Sequence, residues 1–455
     1  MPGPAGQRPV ISGLNATLAP NSGFASWDIS HQLGLITIAR PETDSQFFKP
    51  GFIEIRGLEL RDIAATANVW FEGAAAIRLD AADSVTVRDC DIHSVCTGLS
   101  ARMGGSTEFA LSRDLAILNT HFHNTGTVGQ YSNANLNTEV AGITVRGCRF
   151  DPPVVGSFSD NILDRSAGTV FESCRIEGAA RVLELAGTSG ANAQIIRDDP
   201  RFTTTRVVGC LIISTDDQAG QPVFVGADPN YLAGTRTGVF EMLHNTVIIA
   251  SGAYQVNVPS VYPNITVDFR HNIIRRTGNE IIQLMSNGTL NSGVNWISPG
   301  WQPGPAATLN GTAGILTSVG NDPQLDANYA PLPASQCRDT AAALHVPTQF
   351  ALPFTAHLRA AIGAAPDLGA FEAGLSAPAA PSLSASMESG GILIRLHGTP
   401  FAAYALEMSP DLATWQPFGP ASTPSAAGVL ERVDPIMPPP ARRFSGRPPP
   451  PRPGG

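Results

Sequence analysis

The chain has 455 residues with a formal net charge of −9 at pH 7, and 15% of its residues are charged against 43% that are hydrophobic. This length exceeds the usual size of one domain, so two domains are expected. The negative balance excludes a general attraction for nucleic acid or an anionic membrane surface, and no apolar run approaches the ~18 residues of a membrane span.

The N-terminal sequence MPGPAGQRPVISG (1–13) lacks the apolar core of a signal peptide and is typical of the interior of a folded domain. We therefore expect that the complete protein carries an upstream segment. Such a segment caps the strand edges that the first repeat otherwise exposes.

Short strands with alternating apolar residues recur along the chain, each followed by a Gly, Asp or Asn corner and a second short strand. The instances are FIEIRGLEL (52–60), VTVRDCDI (85–92), LAILNTHF (115–122), ITVRGCRF (143–150), TVFESCRI (169–176), TRVVGCLI (205–212), FEMLHNTVI (240–248), VDFRHNII (267–274) and the weaker GVNWIS (293–298). No helical period separates them, which argues against a sheet of βαβ units.

The residue after each corner is mostly small or amide-bearing: Leu58, Cys90, Thr120, Cys148, Cys174, Cys210, Asn245 and Asn272. The spacing varies from 26 residues (Cys148 to Cys174) to 36 (Cys174 to Cys210). A constant strand with loops of variable length is typical of a solenoid. We predict an all-β protein whose residues 1–372 form a right-handed parallel β-helix, with stacked Asn side chains hydrogen-bonded along the ladder.

The cysteines are Cys90, Cys96, Cys148, Cys174, Cys210 and Cys337, and four of them occupy the ladder position. No Cys-x-x-Cys spacing occurs, and adjacent parallel strands give poor disulfide geometry. We expect buried free thiols that pack as small hydrophobic groups. Disulfides or a metal site are the alternative.

The solenoid is expected to close between residues 310 and 372. The stretches NDPQLDANYAPLPASQCRDTA (321–341) and PDLGAFE (366–372) resemble the terminal coil of many bacterial parallel β-helix proteins. A Pro/Ala/Ser linker (373–386) and a small all-β module (387–445) follow, the module resembling β-sandwich modules of secreted bacterial enzymes. Residues 446–455 read as a Pro-rich disordered tail.

The stretch SDNILDRSAGTVFESCRIEGAARVLELAG (159–187) resembles the alginate lyase and chondroitinase B family. That family has a Glu-x-Glu strand leading into Lys-Ser, and Leu-x-Leu-Arg-His-Gly one coil later. The resemblance implies a Lys base for β-elimination, an assisting Arg and acidic ligands for calcium, which neutralises the uronate carboxylate.

This chain departs from that pattern. Arg165 falls on the Lys, and an arginine is a poor base because it stays protonated. Asp160 falls on the second acidic ligand, Phe158 on the first and Ala186 on the assisting Arg. The resemblance therefore implies half of a calcium site, at Asp160.

Residues 8–372 also resemble bacterial β-helix proteins described as polysaccharide-degrading enzymes. These share Asp-Arg-Ser-Ala-Gly (164–168), then Arg181 and Glu184 on the next coil, and further on NTVIIAS (245–251) and NWISPGW (295–301). The resemblance implies a secreted or periplasmic bacterial protein. We expect a monomer that takes a polysaccharide as its partner and has neither a nucleic-acid partner nor a membrane span.

Arg165, Arg181 and Glu184 are predicted to cluster on the outer face of adjacent coils. In the functional interpretation the arginines bind a uronate carboxylate, and Glu184 or Asp164 acts as acid or base in lyase-like β-elimination. In the alternative, the cluster is a salt bridge that stabilises the stack, and the protein binds glycan without cleaving it.

Hydrolysis of a pectic or neutral glycan is a third interpretation, since paired carboxylates also serve glycosidases. The pectinase set Asn-x-Asp, Asp-Asp and His is not found, and the pairs Asp198–Asp199 and Asp216–Asp217 lie in predicted loops. Other candidates are single residues that could stack on sugar rings: Tyr231, Tyr254, Trp296 and Trp301.

His121 and His123 share one face of a strand because Phe122 lies between them. A metal site is conceivable there, but the sequence shows no third ligand. We expect solvated surface histidines, and structural roles for the single residues His93 and His244.

Overall fold

The computed structural model describes residues 8–14, 34–39, 49–63, 74–103, 108–129, 135–179, 181–188, 193–215, 221–226, 235–250, 255–316, 322–343, 359, 363–373, 382–388, 391–397, 404, 406–409, 414, 416–419 and 429–434. Tyr231, Tyr254, the Asp216–Asp217 pair and the predicted Pro-rich tail (446–455) lie outside these ranges.

The chain divides into two compact units. The larger comprises Val10–Phe354 and Leu358–Gly374, and the smaller comprises Met1–Pro9, Thr355–His357 and Leu375–Gly455.

Three long parallel sheets form the larger unit, and from Val10 to Ile249 the chain passes through them in the same order, A, B and C. Sheet A contains β1 (Val10–Ser12), β4 (Glu59–Arg61), β7 (Asp91–Val95), β10 (His121–Thr125), β13 (Arg149–Phe150), β16 (Arg175–Glu177), β19 (Leu211–Ser214), β22 (Thr246–Ile249), β26 (Ile273–Arg276), β29 (Asn295–Ile297) and β32 (Ile315–Leu316). Sheet B contains β2 (Gly34–Ala39), β5 (Ala75–Asp80), β8 (Thr97–Ala101), β11 (Leu136–Thr138), β14 (Ile162–Asp164), β17 (Arg181–Leu185), β20 (Gln221–Val225) and β24 (Ser260–Val261).

Sheet C contains β3 (Gly51–Arg56), β6 (Asp83–Arg88), β9 (Arg113–Leu118), β12 (Ala141–Arg146), β15 (Ala167–Glu172), β18 (Thr204–Val208), β21 (Gly238–Leu243), β25 (Ile265–Arg270), β28 (Asn287–Ser292) and β31 (Ala306–Asn310). A short parallel sheet D adds β23 (Gln255–Val258), β27 (Ile281–Leu284) and β30 (Gln302–Pro303). One short helix, α1 (Ala193–Asp198), lies between β17 and β18.

The core of the larger unit follows from two-residue alternation along each strand. In β12, Ala141, Ile143 and Val145 are buried, while the residues that alternate with them are half-buried. The inward positions of successive sheet C strands align in register, so that Val145 stacks between Ile117 and Phe171. Because each coil repeats this pattern, one continuous apolar core runs along the solenoid.

The predicted asparagine ladder is confirmed. Asn245 Oδ1 accepts from the Cys210 backbone N–H at 2.9 Å, and Asn272 Oδ1 accepts from the Asn245 N–H at 2.9 Å. Asn295 continues the row by accepting from the Asn272 N–H at 2.8 Å. The amides therefore satisfy corner backbone groups that are buried inside the solenoid.

All the cysteines are buried free thiols, as predicted. Cys148 and Cys174 each donate through Sγ to a backbone carbonyl of the preceding coil, Ile117 O at 3.4 Å and Val145 O at 3.5 Å. Burial raises the pKa of the Cys174 and Cys210 thiols well above the ordinary value, and that of Cys337 to about 12. These thiols are therefore poor nucleophiles and poor metal ligands.

Segments 322–343 and 363–373 pack on the last coils without forming long strands. Cys337 and Leu368 join a buried cluster with Ile273 and Trp296. Arg359 and Glu372 form a fully buried ion pair at 2.7 Å. This packing covers apolar side chains at the predicted closing region of the solenoid.

In the smaller unit, β33 (Ser382–Glu388), β34 (Gly391–His397) and β37 (Val429–Asp434) form an antiparallel sheet, and β35 (Glu407–Met408) pairs with β36 (Gln416–Pro417). The prediction of an all-β protein with a parallel β-helix and a small all-β C-terminal module is thus confirmed, and the sheets of the module are antiparallel. One boundary differs: β33 begins inside the predicted linker (373–386), because Ser382–Glu388 pairs along its whole length with β34.

Candidate functional site

The residues predicted for the site lie on or next to two neighbouring strands of sheet B, β14 and β17. In register across neighbouring strands, Asn137 of β11 pairs with Leu163 of β14, Leu163 with Glu184 of β17, and Glu184 with Phe224 of β20. The residues that alternate with them face the core, so this row points outward. Nevertheless Glu184 is only 2% exposed. A charged group therefore lies in a largely dry setting on the outside of the sheet.

Asp160 and Glu184 form a coupled carboxyl pair. Burial, a hydrogen bond with Glu184 and the charge of Glu184 raise the pKa of Asp160 well above its usual range, whereas Arg181 and Arg165 oppose that rise. Two close carboxylates cannot both ionise at low cost, so Asp160 keeps its proton to a higher pH than an isolated aspartate does. The pair therefore offers a proton donor directly beside a carboxylate.

Arg181 forms an ion pair with Glu184, the second member of the carboxyl pair. Its Nη1 donates to Glu184 Oε2 at 2.6 Å, and its guanidinium lies 4.8 Å from the centre of the Phe224 ring. The aromatic face and the carboxylate together fix the orientation of the guanidinium.

Arg165 directly follows β14, and its backbone N–H donates to Thr138 O at 2.7 Å. Within the described part of the chain, its guanidinium makes one hydrogen bond, 3.4 Å from Asn137 Oδ1, and no ion pair. Its charge nevertheless acts on Asp160 and Glu139 and opposes the rise in their pKa values that burial causes. Arg165 is thus a cation close to carboxyl groups but not in contact with one.

Glu139 belongs to the same cluster and was missed by sequence reasoning. It follows β11 where Arg165 follows β14, because Thr138 and Asp164 are in register. Glu139 is buried, and burial raises its pKa. Glu139 occupies the same position after its sheet B strand as Arg165 does after β14, and this shared position is the signal by which the sequence could have identified it.

Asp164 has a different environment from the other predicted site residues. It is fully buried, and it accepts hydrogen bonds from Thr138 Oγ1 at 2.7 Å, Thr169 Oγ1 at 2.6 Å and Arg236 Nη2 at 2.8 Å. It aligns with the core-facing Ile162, two residues earlier on β14. This carboxylate is enclosed and fully partnered, so we leave it out of the catalytic set.

The surroundings of Asp160 do not fit a calcium ion. Calcium requires several ionised or carbonyl oxygens. Burial beside Glu184 raises the pKa of Asp160, two guanidinium groups act on it, and Phe158 occupies the position that the resemblance assigns to the first ligand. We derive no chemical step through calcium.

We expect the Asp160→Asn variant to be more stable than the wild type at pH 7. The raised folded-state pKa means that folding binds a proton, so wild-type stability falls as pH rises above the unfolded value of about 3.9. The amide keeps a donor toward Glu184 and does not ionise. Urea unfolding at several pH values should give a higher free energy of unfolding for the variant at pH 7, and the difference from the wild type should disappear below pH ~4. A difference that does not change with pH would contradict a raised pKa for Asp160.

Several other residues that the sequence offered as candidates pack in the core or make local hydrogen bonds. Trp296 is fully buried, which excludes stacking on a sugar, and Trp301 is half-buried against the core. Asp199 caps a 3₁₀ turn by accepting from the Arg201 N–H at 2.9 Å. His244 Nε2 lies 3.0 Å from Nδ1 of the buried His271.

The histidines of β10 differ from the expectation of solvated surface residues. Asp91 of the neighbouring strand β7 lies beside both His121 and His123 and supplies the third potential ligand that the sequence did not show. The two strands lie in register because the chain between them passes through β8 and β9 and so completes one full coil.

Comparison with protein-family models, with curated proteins and with solved structures gave no match. In the described part of the chain no helix is long and apolar enough to cross a bilayer.

Proposed function

We propose that the protein binds an acidic, uronate-containing polysaccharide on the outer face of sheet B and cleaves it by lyase-like β-elimination. The observation that carries the proposal is the grouping of Arg165 and Arg181 around the Asp160–Glu184 carboxyl pair. Arg165 contacts no carboxylate among the described residues, and such a cation beside this pair fits a substrate that brings its own carboxylate.

In this proposal Arg165 recognises the substrate. Its guanidinium has only one long hydrogen bond within the described residues, so donors remain for a bidentate contact with a uronate carboxylate. Neutralising that carboxylate also acidifies the proton at C5 of the uronate. Arg165 stays protonated and therefore acts as a charge partner, not as the base.

Cleavage requires one acid and one base. In the proposed step Glu184 removes the C5 proton, the C4–C5 double bond forms, the C4–O4 bond breaks, and Asp160 delivers its proton to the departing O4. The raised pKa of Asp160 suits the acid role. Arg181 transfers its hydrogen bonding from Glu184 to the substrate as Glu184 becomes neutral.

Hydrolysis is the second candidate, because it also uses an acid and a base, but glycosidase carboxyl groups are about 5 Å or more apart, so the hydrogen-bonded Asp160 and Glu184 side chains must separate for it. One protonated and one ionised carboxyl group flanking a glycosidic bond are the requirement of glycosidases. The third candidate is binding without cleavage, in which the Arg181–Glu184 ion pair only stabilises the stack. A polymeric substrate fits a secreted or periplasmic location, and the site lies within one chain, in keeping with a monomer.

The products of the reaction separate these candidates. Wild-type protein is incubated with alginate, pectate, dermatan and related uronic-acid polymers, with and without chelator. Ultraviolet absorbance of unsaturated uronate and new reducing ends are measured in the same samples. We expect both signals with one polymer, unaffected by chelation. Reducing ends without absorbance would establish hydrolysis, and neither signal, with retardation in a polymer-containing gel, would establish binding alone.

A further inference from the structure

A second cluster of chemically active side chains lies on sheet A, away from the carboxyl pair. It consists of Asp91 on β7 and His121 and His123 on β10, and we call it the His–Asp cluster. Asp91 pairs in register with His121. Ile92 and Phe122, which alternate with them, are fully buried, so the cluster faces outward.

The ligand atoms converge. Asp91 Oδ1 lies 3.1 Å from His123 Nε2 and 3.5 Å from His121 Nδ1, and all three atoms lie within 4.8 Å of one another. In a tetrahedral zinc site with bonds of 2.0–2.1 Å, neighbouring ligand atoms are about 3.3 Å apart. The spacing around Asp91 Oδ1 is therefore that of ligands sharing one metal ion.

The surrounding groups orient the histidines. Asp151 Oδ2 lies 2.9 Å from His121 Nε2, on the side of the ring away from Asp91, and Arg149 holds Asp151 at 2.6 Å. A carboxylate on the second nitrogen is the usual support of a metal-bound histidine. The His123 ring stacks on His121 at 4.4 Å and on His93 at 4.6 Å. The two histidines are thus positioned before any ligand arrives.

We propose that the His–Asp cluster binds one divalent transition metal ion of the zinc type through Asp91 Oδ1, His121 Nδ1 and His123 Nε2. Two imidazoles and one carboxylate favour zinc, cobalt, nickel or copper over calcium or magnesium. The side chains of His121 and His123 are 14% and 28% exposed, so the ion has access from solvent and keeps an open position for water. The site joins adjacent coils and does not depend on the proposed polysaccharide activity.

The test uses metal-free, untagged protein of the whole chain. Co²⁺ is added in steps while visible absorbance is followed, and Zn²⁺ binding is measured by titration calorimetry. We expect the protein to bind one equivalent of Co²⁺ and to show the intense visible bands of a four- or five-coordinate site. Zn²⁺ should displace the Co²⁺, whereas Ca²⁺ or Mg²⁺ at the same concentration should not. Wild-type protein that gives no visible bands and no calorimetric binding overturns the proposal.

Variants then identify the ligands. His123→Ala should lose at least ~100-fold in Zn²⁺ affinity, and Asp151→Asn about 10- to 100-fold, the range for a supporting carboxylate. The matched control is Glu59→Gln, which alters the carboxylate in register with Asp91 on the preceding coil. It should bind Zn²⁺ as the wild type does. Unchanged binding by a folded His123→Ala variant would place the ion elsewhere and overturn the assignment.

Discussion

Asp164→Ala is expected to lower the free energy of unfolding by about 3–5 kcal/mol, the cost of leaving one buried charge without its partner. The charge is Arg236, whose side chain is 2% exposed and lies 2.8 Å from Asp164. Arg236 also donates to Ala186 O at 3.0 Å and to Thr205 Oγ1 at 2.9 Å. These neutral acceptors do not compensate the guanidinium charge.

Denaturant unfolding of three variants tests this expectation. Asp268→Ala is the matched control, because Asp268 also pairs with an arginine, Arg270, but at a partly exposed position on sheet C. Its loss should be below ~1 kcal/mol. The double variant Asp164→Ala/Arg236→Met should recover part of the stability, since the orphaned charge is gone. A loss near ~1 kcal/mol for Asp164→Ala alone would show that Arg236 is solvated.

Glu184→Gln is expected to lower kcat/KM for polymer cleavage about 1,000-fold, within the usual range for removal of an acid–base group. The amide keeps the shape of the side chain and still accepts from Arg181, but it cannot take up a proton. Binding of the polymer should change far less than cleavage does, because Arg165 retains its charge.

The matched control for this variant is Glu177→Gln. Glu177 accepts from Arg175 at 2.7 Å on β16, the sheet A strand immediately before β17. It has the same charge and the same kind of partner but lies on another face. Its activity should equal that of the wild type. If Glu184→Gln retained full activity, the acid–base role would belong to other residues.

The solenoid could be predicted from sequence because its causes are local. Apolar alternation fixes which side of each strand faces inward, and the corner residues repeat at Cys148, Cys174, Cys210, Asn245 and Asn272. Each of these signals lies within about ten residues of chain. Variable loops do not disturb them, since a loop leaves the strand pattern unchanged.

The chemistry of the site could be predicted only in part. Arg165, Arg181, Glu184 and Asp160 were identified in one stretch, and the structure groups them. The raised pKa of Asp160 was not foreseeable, because it depends on burial by other segments. Arg236 lies 72 residues from Asp164, and no local pattern links the two. The third ligand of the His–Asp cluster required the register between β7 and β10, which the loop lengths conceal.

The most direct measurement of the central claim is the affinity for a uronate oligosaccharide compared with the same oligosaccharide after reduction of its carboxyl groups. Wild-type protein should bind the acidic form at least ~10-fold more tightly, a difference of about 1.4 kcal/mol. Arg165→Ala should bind both forms equally, whereas Arg206→Ala, a sheet C arginine paired with Glu241, should keep the preference. Equal affinity of the wild type for the two forms would contradict recognition of a uronate carboxylate by this surface.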